Sequence, residues 1–133
     1  MTRNRFAVIV TLCHLAAATL HGAAHGVLGV SAGGGAGLLV VAGAVYVGPL
    51  LALAALHTGR RVSAGVTLSI SMAVALVYGL TFHYVLRTPD HVAYAPAGVW
   101  GEVFRATAAA IALLEACGVA AGLLLLPPQP RHA

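Results

Sequence analysis

Residues 6–30 read FAVIVTLCHLAAATLHGAAHGVLGV, from Phe6 to Val30, without one formally charged side chain. A helix needs about 20 apolar residues to cross a bilayer, so this tract predicts a membrane span. It also carries three histidines, His14, His21 and His25. At 100° per residue their spacings of seven and four put them within about 40° of one another. They form one stripe rising through roughly 16 Å of the helix. An imidazole facing acyl chains is costly, so the stripe is expected to face the interior of a bundle or a cavity. Everything proposed about a site rests on that orientation.

Working outward, three more apolar tracts follow, over 36–57, 62–86 and 102–126. The intervening segments carry turn residues: Ser31 to Gly35, then Thr58-Gly59-Arg60-Arg61, then Arg87 to Ala97, with Pro127 and Pro128 closing the last tract. Backbone groups cannot be left open in hydrocarbon, so the tracts are read as helices rather than as a small barrel. Of the 133 residues, 60% are apolar and 8% charged, with seven arginines, three carboxylates and no lysine. Such a chain could not clothe a soluble domain, and disorder, coiled coil and a disulfide scaffold are excluded as well. The expectation is an all-α integral membrane protein, one transmembrane domain over 1–133, folded as a four-helix up-down-up-down bundle. A cleavable signal over residues 1–18 is the rival reading, because Met1 to Arg5 followed by Phe6 to Leu12 has the required layout. The apolar tract is long for that role.

The arginines set an expected orientation. Arg3, Arg5, Arg60, Arg61 and Arg131 fall on one side if there are four spans, and the positive-inside rule makes that side cytoplasmic. Both termini are then cytoplasmic and the plasma membrane is the expected location. The net charge of +4 is accounted for in this way, with no nucleic-acid partner. Tyr84, Tyr94 and Trp100 sit where aromatic residues anchor at an interface. Short loops make consecutive helices antiparallel neighbours. Gly22 with Gly26, and Gly118 with Gly122, have the spacing that lets helices approach closely in lipid. Pro49 is expected to kink the second helix.

Depth along the helices suggests which polar residues meet. His25 and His83 both lie near the outer ends of spans that face each other diagonally, with Asp90, His91 and Glu102 in the same region. Imidazoles with a carboxylate suit zinc, copper or iron, so His25, His83, His91 and Glu102 form a candidate metal set. His25 and His83, supported by His21, would equally suit axial ligation of a haem. Glu115 is the one carboxylate deep in an apolar tract, where it must be protonated or paired. His14 and His21 match its depth, which makes His14, His21 and Glu115 a candidate proton relay. The plain alternative is that these histidines only bond backbone carbonyls within the bundle.

His57 and His132 are expected to be solvated, Arg105 to snorkel outward or pair with Glu102, and Cys13 and Cys117 to be unpaired small hydrophobes. No phosphate-binding glycine loop, nucleophile elbow or Cys-x-x-Cys is present. The functional expectation is a small haem- or metal-binding redox subunit. Its partners would be the lipid bilayer and a larger membrane complex or a second copy of the chain. A proton- or ion-translocating protein and a non-catalytic packing subunit are the alternatives.

Overall fold

The computed structural model describes residues 1–30 and 34–127. Ser31 to Gly33, Arg131 and His132 lie outside them. The chain folds into helices α1 (Arg3–Leu28), α2 (Gly34–Val40), α3 (Gly48–His57), α4 (Arg61–Leu80) and α5 (Val99–Leu125). A π-helical segment, Val41–Val47, joins α2 to α3, and a second, Thr81–Val85, extends α4. Four of the resulting helices are long and apolar enough to cross a membrane: Arg3–Leu28, Gly37–His57, Arg61–Val85 and Val99–Leu125. They are called spans one to four, in chain order.

Local chemistry explains the ends. The Thr2 hydroxyl accepts from Arg5 N and caps span one, and Gly29, at φ 66°, closes it in the left-handed conformation that glycine adopts most readily. Gly59, at φ 77°, turns the chain between spans two and three. Pro49 has no N–H and cannot continue a regular helix inward. The π segment takes up the defect: Gly48 N–H reaches back five residues to Gly43 O. The expected disturbance at Pro49 therefore appears as a widened turn before it.

Span four runs antiparallel to spans three and one: Gly65 meets Gly122 while Met72 meets Gly118, and Arg3 meets Leu124 while His21 meets Thr107. Spans three and four make the closest approach. A Cβ on Gly65 would stand 2.7 Å from Gly122 O, and one on Gly118 would stand 2.7 Å from Met72 Cγ, so van der Waals contact between backbones draws these helices together. The Gly22–Gly26 pair does not act this way. Among the described residues, a Cβ on Gly22 would meet only the Tyr46 hydroxyl, at 3.8 Å, and one on Gly26 would meet nothing within 4 Å.

The bundle has two unlike halves. Toward the end that carries Arg3, Arg5, Arg60 and Arg61, Ala7, Ala52, Ala64, Leu68, Met72, Ala121 and Leu125 form a dry core. Toward the other end the interior is polar and holds the histidines. Tyr84, Tyr94 and Trp100 are exposed at that polar end. His57 is exposed as expected. Cys13 and Cys117 are free but exposed on the outer faces of their helices rather than buried.

Candidate functional site: a histidine cluster at one end of the bundle

Span one brings His21 and His25 one helical turn apart onto the face that looks inward. Span three brings His83 to the same depth, on the π segment Thr81–Val85. Single π turns recur at functional sites because the extra residue re-aims a side chain. Here the outcome is a triangle of imidazoles. His21 Nε2 lies 3.1 Å from His25 Nε2 and 3.2 Å from His83 Nε2. One nitrogen from each ring falls within 4.8 Å of the others. Phe104, fully buried on span four, packs against all three rings, stacked on His21 at 4.8 Å between centroids.

The other ring nitrogens decide the tautomers. His83 Nδ1 lies 2.9 Å from Asp90 O, a group that can only accept. His25 Nδ1 lies 3.2 Å from Val30 O and 3.3 Å from Asp90 Oδ1, again acceptors. Both Nδ1 atoms therefore carry hydrogen in the neutral rings, and both Nε2 atoms are bare lone pairs. His21 Nδ1 meets Thr107 Oγ1 at 2.9 Å. That hydroxyl lies closer to Val103 O, 2.6 Å, and gives its hydrogen there. It accepts from His21, whose Nε2 is then bare too. With the three rings in these tautomers their Nε2 lone pairs converge, an arrangement that a shared proton or a bound cation relieves.

Asp90 completes the site. Its side chain is 2% exposed, and its oxygens approach His25 Nδ1 at 3.3 Å and His83 Nδ1 at 3.8 Å. Neither oxygen has a hydrogen-bond partner among the described residues. A buried carboxylate in that state is expensive unless positive charge stands nearby. With neutral imidazoles the cluster has an unbalanced negative charge and three inward-facing donors.

The cluster opens into a cavity of about 170 Å³ reaching toward the middle of the bundle. Apolar side chains such as Ala75, Ala108 and Ile111 form most of its wall, and Glu115 lines it. Glu115 is 2% exposed. A Cβ on Gly79 would stand 3.8 Å from Glu115 Oε2 and 4.0 Å from His83 Cδ2. The missing side chain of Gly79 therefore keeps open the space between that carboxyl and the cluster.

The remaining expected site residues lie elsewhere. His91 bonds Tyr84 O at the end of span three and Ala93 N in its own loop, and Glu102 pairs with Arg105 at 2.6 Å on the exposed face of span four. Neither is part of the cluster of His21, His25 and His83. His14 is fully buried about two turns below His21, with Nε2 3.1 Å from Val45 O and Nδ1 without a partner among the described residues. It bonds neither Glu115 nor His21, although His21 and Glu115 share the cavity wall. Phe104 and Thr107 were not singled out from the sequence. In an antiparallel bundle they stand level with His21 and His25, and a threonine within an apolar run was the available signal. No family model matches this chain, and neither a curated protein nor a solved structure was found to be similar to it.

Proposed function

We propose that this chain is a multi-pass membrane protein that holds one transition-metal ion through the Nε2 atoms of His21, His25 and His83. The observation that carries the reading is the convergence of the three Nε2 atoms, that of His21 standing 3.1 Å from His25 and 3.2 Å from His83. A tetrahedral ion with nitrogen ligands at 2.0–2.1 Å sets neighbouring donors about 3.3 Å apart. Metal-bound histidines almost always give their other N–H to a carboxylate, carbonyl or hydroxyl, the pattern seen at all three rings. Asp90 supplies charge for a cation. Imidazole donors suit zinc and copper foremost.

A single ion is favoured over a haem. Small-molecule pockets run to about 300–1,000 Å³, whereas this cavity is near 170 Å³ and Phe104 and His21 fill the space between His25 and His83. By the positive-inside rule, the end bearing Arg3, Arg5, Arg60 and Arg61 faces the cytoplasm. The metal site then lies toward the outer surface, in the plasma membrane on this reading. Four spans of this size act beside a larger complex or a second copy. Proton or ion passage along His14, His21 and Glu115 is the second reading, supported by the cavity that His21 and Glu115 share. The dry core at the arginine-bearing end argues against a continuous path.

Elemental analysis of the purified protein after zinc or copper loading tests the proposal. About one ion per chain is expected, falling to trace levels when His21, His25 and His83 are replaced together by alanine. A folded wild-type protein that retains no metal, or a triple variant that retains it fully, refutes the reading.

A further inference from the structure

Glu115 stands near the middle of span four, 2% exposed, in the wall of the cavity. No ion pair or hydrogen bond to another described residue occupies it. A lone carboxylate so placed is too costly, so the group is held as the neutral acid. It has a proton to give and no described partner that takes it. The other titratable groups on the wall are His21, His25, Tyr46, Tyr78, His83 and Asp90. The described lining includes no arginine or lysine, and both Asp90 oxygens lack a hydrogen-bond partner among the described residues. What the wall lacks is positive charge. The rest of it is mostly hydrocarbon. An engineered apolar cavity of about 150 Å³ holds benzene, so the space of about 170 Å³ takes about six non-hydrogen atoms. Gly22 is exposed on span one and also lines the cavity, which therefore reaches the outer side of the bundle there, beside Tyr46 of span two.

We infer that the cavity is a binding site for a small aliphatic amine, which enters between spans one and two and is held by Glu115 as an ammonium–carboxylate pair. The amine enters neutral, as a lipid-soluble base. Its nitrogen lone pair takes the proton of the Glu115 carboxyl: the O–H bond breaks, an N–H bond forms, and the net charge of the site is unchanged. Because such an amine is mostly ammonium in neutral water, each binding event leaves a proton in the buffer. A hydrogen bond with charge on its partners is roughly twice as strong as a neutral one. Other ligand classes fit less well. An alcohol or amide of the same size would meet Glu115 through neutral bonds alone. A carboxylic acid would add a further acidic group to a wall without a cation. A bare calcium or magnesium ion would find hydrocarbon where it needs several oxygens. The ammonium–carboxylate pair is neutral as a unit, so it forms with or without an ion on the Nε2 triangle and needs no metal.

Titration of the full chain in detergent with n-butylamine, followed by calorimetry, provides the test. About one amine per chain is expected, with 1-butanol, of the same shape but not a base, about tenfold weaker. Difference infrared spectroscopy reads the proton directly. The carbonyl band of a neutral carboxylic acid should vanish on binding and a carboxylate band should replace it. Glu115→Gln should keep its fold and its zinc, lack that band change, and bind the amine about tenfold more weakly. Gly22→Leu, whose side chain extends into the opening beside Tyr46, should slow association while leaving the band change intact. An amine that does not bind, or binds no better than butanol, overturns the proposal, and so does binding with the acid band unaltered or an unweakened Glu115→Gln. Unchanged association in Gly22→Leu overturns the entry between spans one and two. Zinc retention is measured separately, so loss of the amine site and loss of the metal site are told apart.

Discussion

His21 Nδ1 and Thr107 Oγ1 stand 2.9 Å apart, joining the first span to the fourth. Because the Thr107 hydroxyl is committed to Val103 O at 2.6 Å, it holds His21 in the tautomer that leaves Nε2 bare. Losing such a partner costs about 10–100-fold in metal affinity. Thr107→Val keeps the shape and removes the acceptor, so its zinc affinity should fall by that factor, with Thr107→Ser near wild type. Competition against a chromogenic chelator measures both. Equal affinity in the valine variant would mean that His21 is not oriented from span four.

Asp90 and Glu102 differ in the same test. Asp90 is buried against His25 and His83, while Glu102 is 72% exposed and neutralised by Arg105. Asp90→Asn removes the charge while its main-chain carbonyl still receives His83, and zinc affinity should fall about tenfold. Glu102→Gln and His91→Ala should leave zinc content unchanged. A loss of metal in Glu102→Gln would restore the ligand set read from the sequence.

That contrast marks what the sequence could and could not deliver. Hydropathy located four long apolar helices, each of the length and composition that lipid requires of a segment closing its own hydrogen bonds. The same arithmetic aligned His14, His21 and His25 on one inward face. It could not separate His14 from the other two, since an angle on a helical wheel says nothing of what stands opposite at each depth. Loop residues were harder still. Asp90 reaches the cluster because the turn from Leu86 to His91 folds it back under His83, through His91 N–H to Thr88 O and His83 Nδ1–H to Asp90 O. No period encodes such a turn. His83 itself is aimed by a π turn that hydropathy does not register.

Metal retention should depend on pH in one direction. Protons and the ion compete for the same three Nε2 lone pairs, so affinity decreases on acidification. Protein loaded near pH 7.5 and dialysed near pH 5, across the range where imidazole commonly gains a proton, is expected to lose most of its zinc and to regain it on return. Zinc held equally at both values would place the ion on other ligands.

The glycines predict opposite effects for identical changes. Gly65 has Gly122 O 2.7 Å from its Cβ position, and backbone cannot step aside. Gly65→Ala should destabilise the bundle by about 1–3 kcal/mol. Gly26 faces open space within span one, and Gly26→Ala should be neutral or stabilising by up to about 1 kcal/mol. Thermal unfolding in detergent separates the two, and a harmless Gly65→Ala would mean that spans three and four pack less closely than described.

His14 and Pro49 should be thermodynamically coupled although they lie on different spans. Pro49 has no hydrogen to offer the carbonyl of Val45, four residues earlier, and His14 Nε2 reaches that oxygen at 3.1 Å. The imidazole thus satisfies a backbone group in a dry interior that a regular helix would have satisfied by itself. His14→Leu leaves that carbonyl without its donor and should cost about 1–3 kcal/mol. With alanine at position 49 an N–H becomes available, and the same His14→Leu change should then cost at least about 1 kcal/mol less. A double-mutant cycle read by unfolding in detergent gives the difference. If the cost of His14→Leu is the same in both backgrounds, the histidine serves some purpose other than replacing the bond that proline withholds.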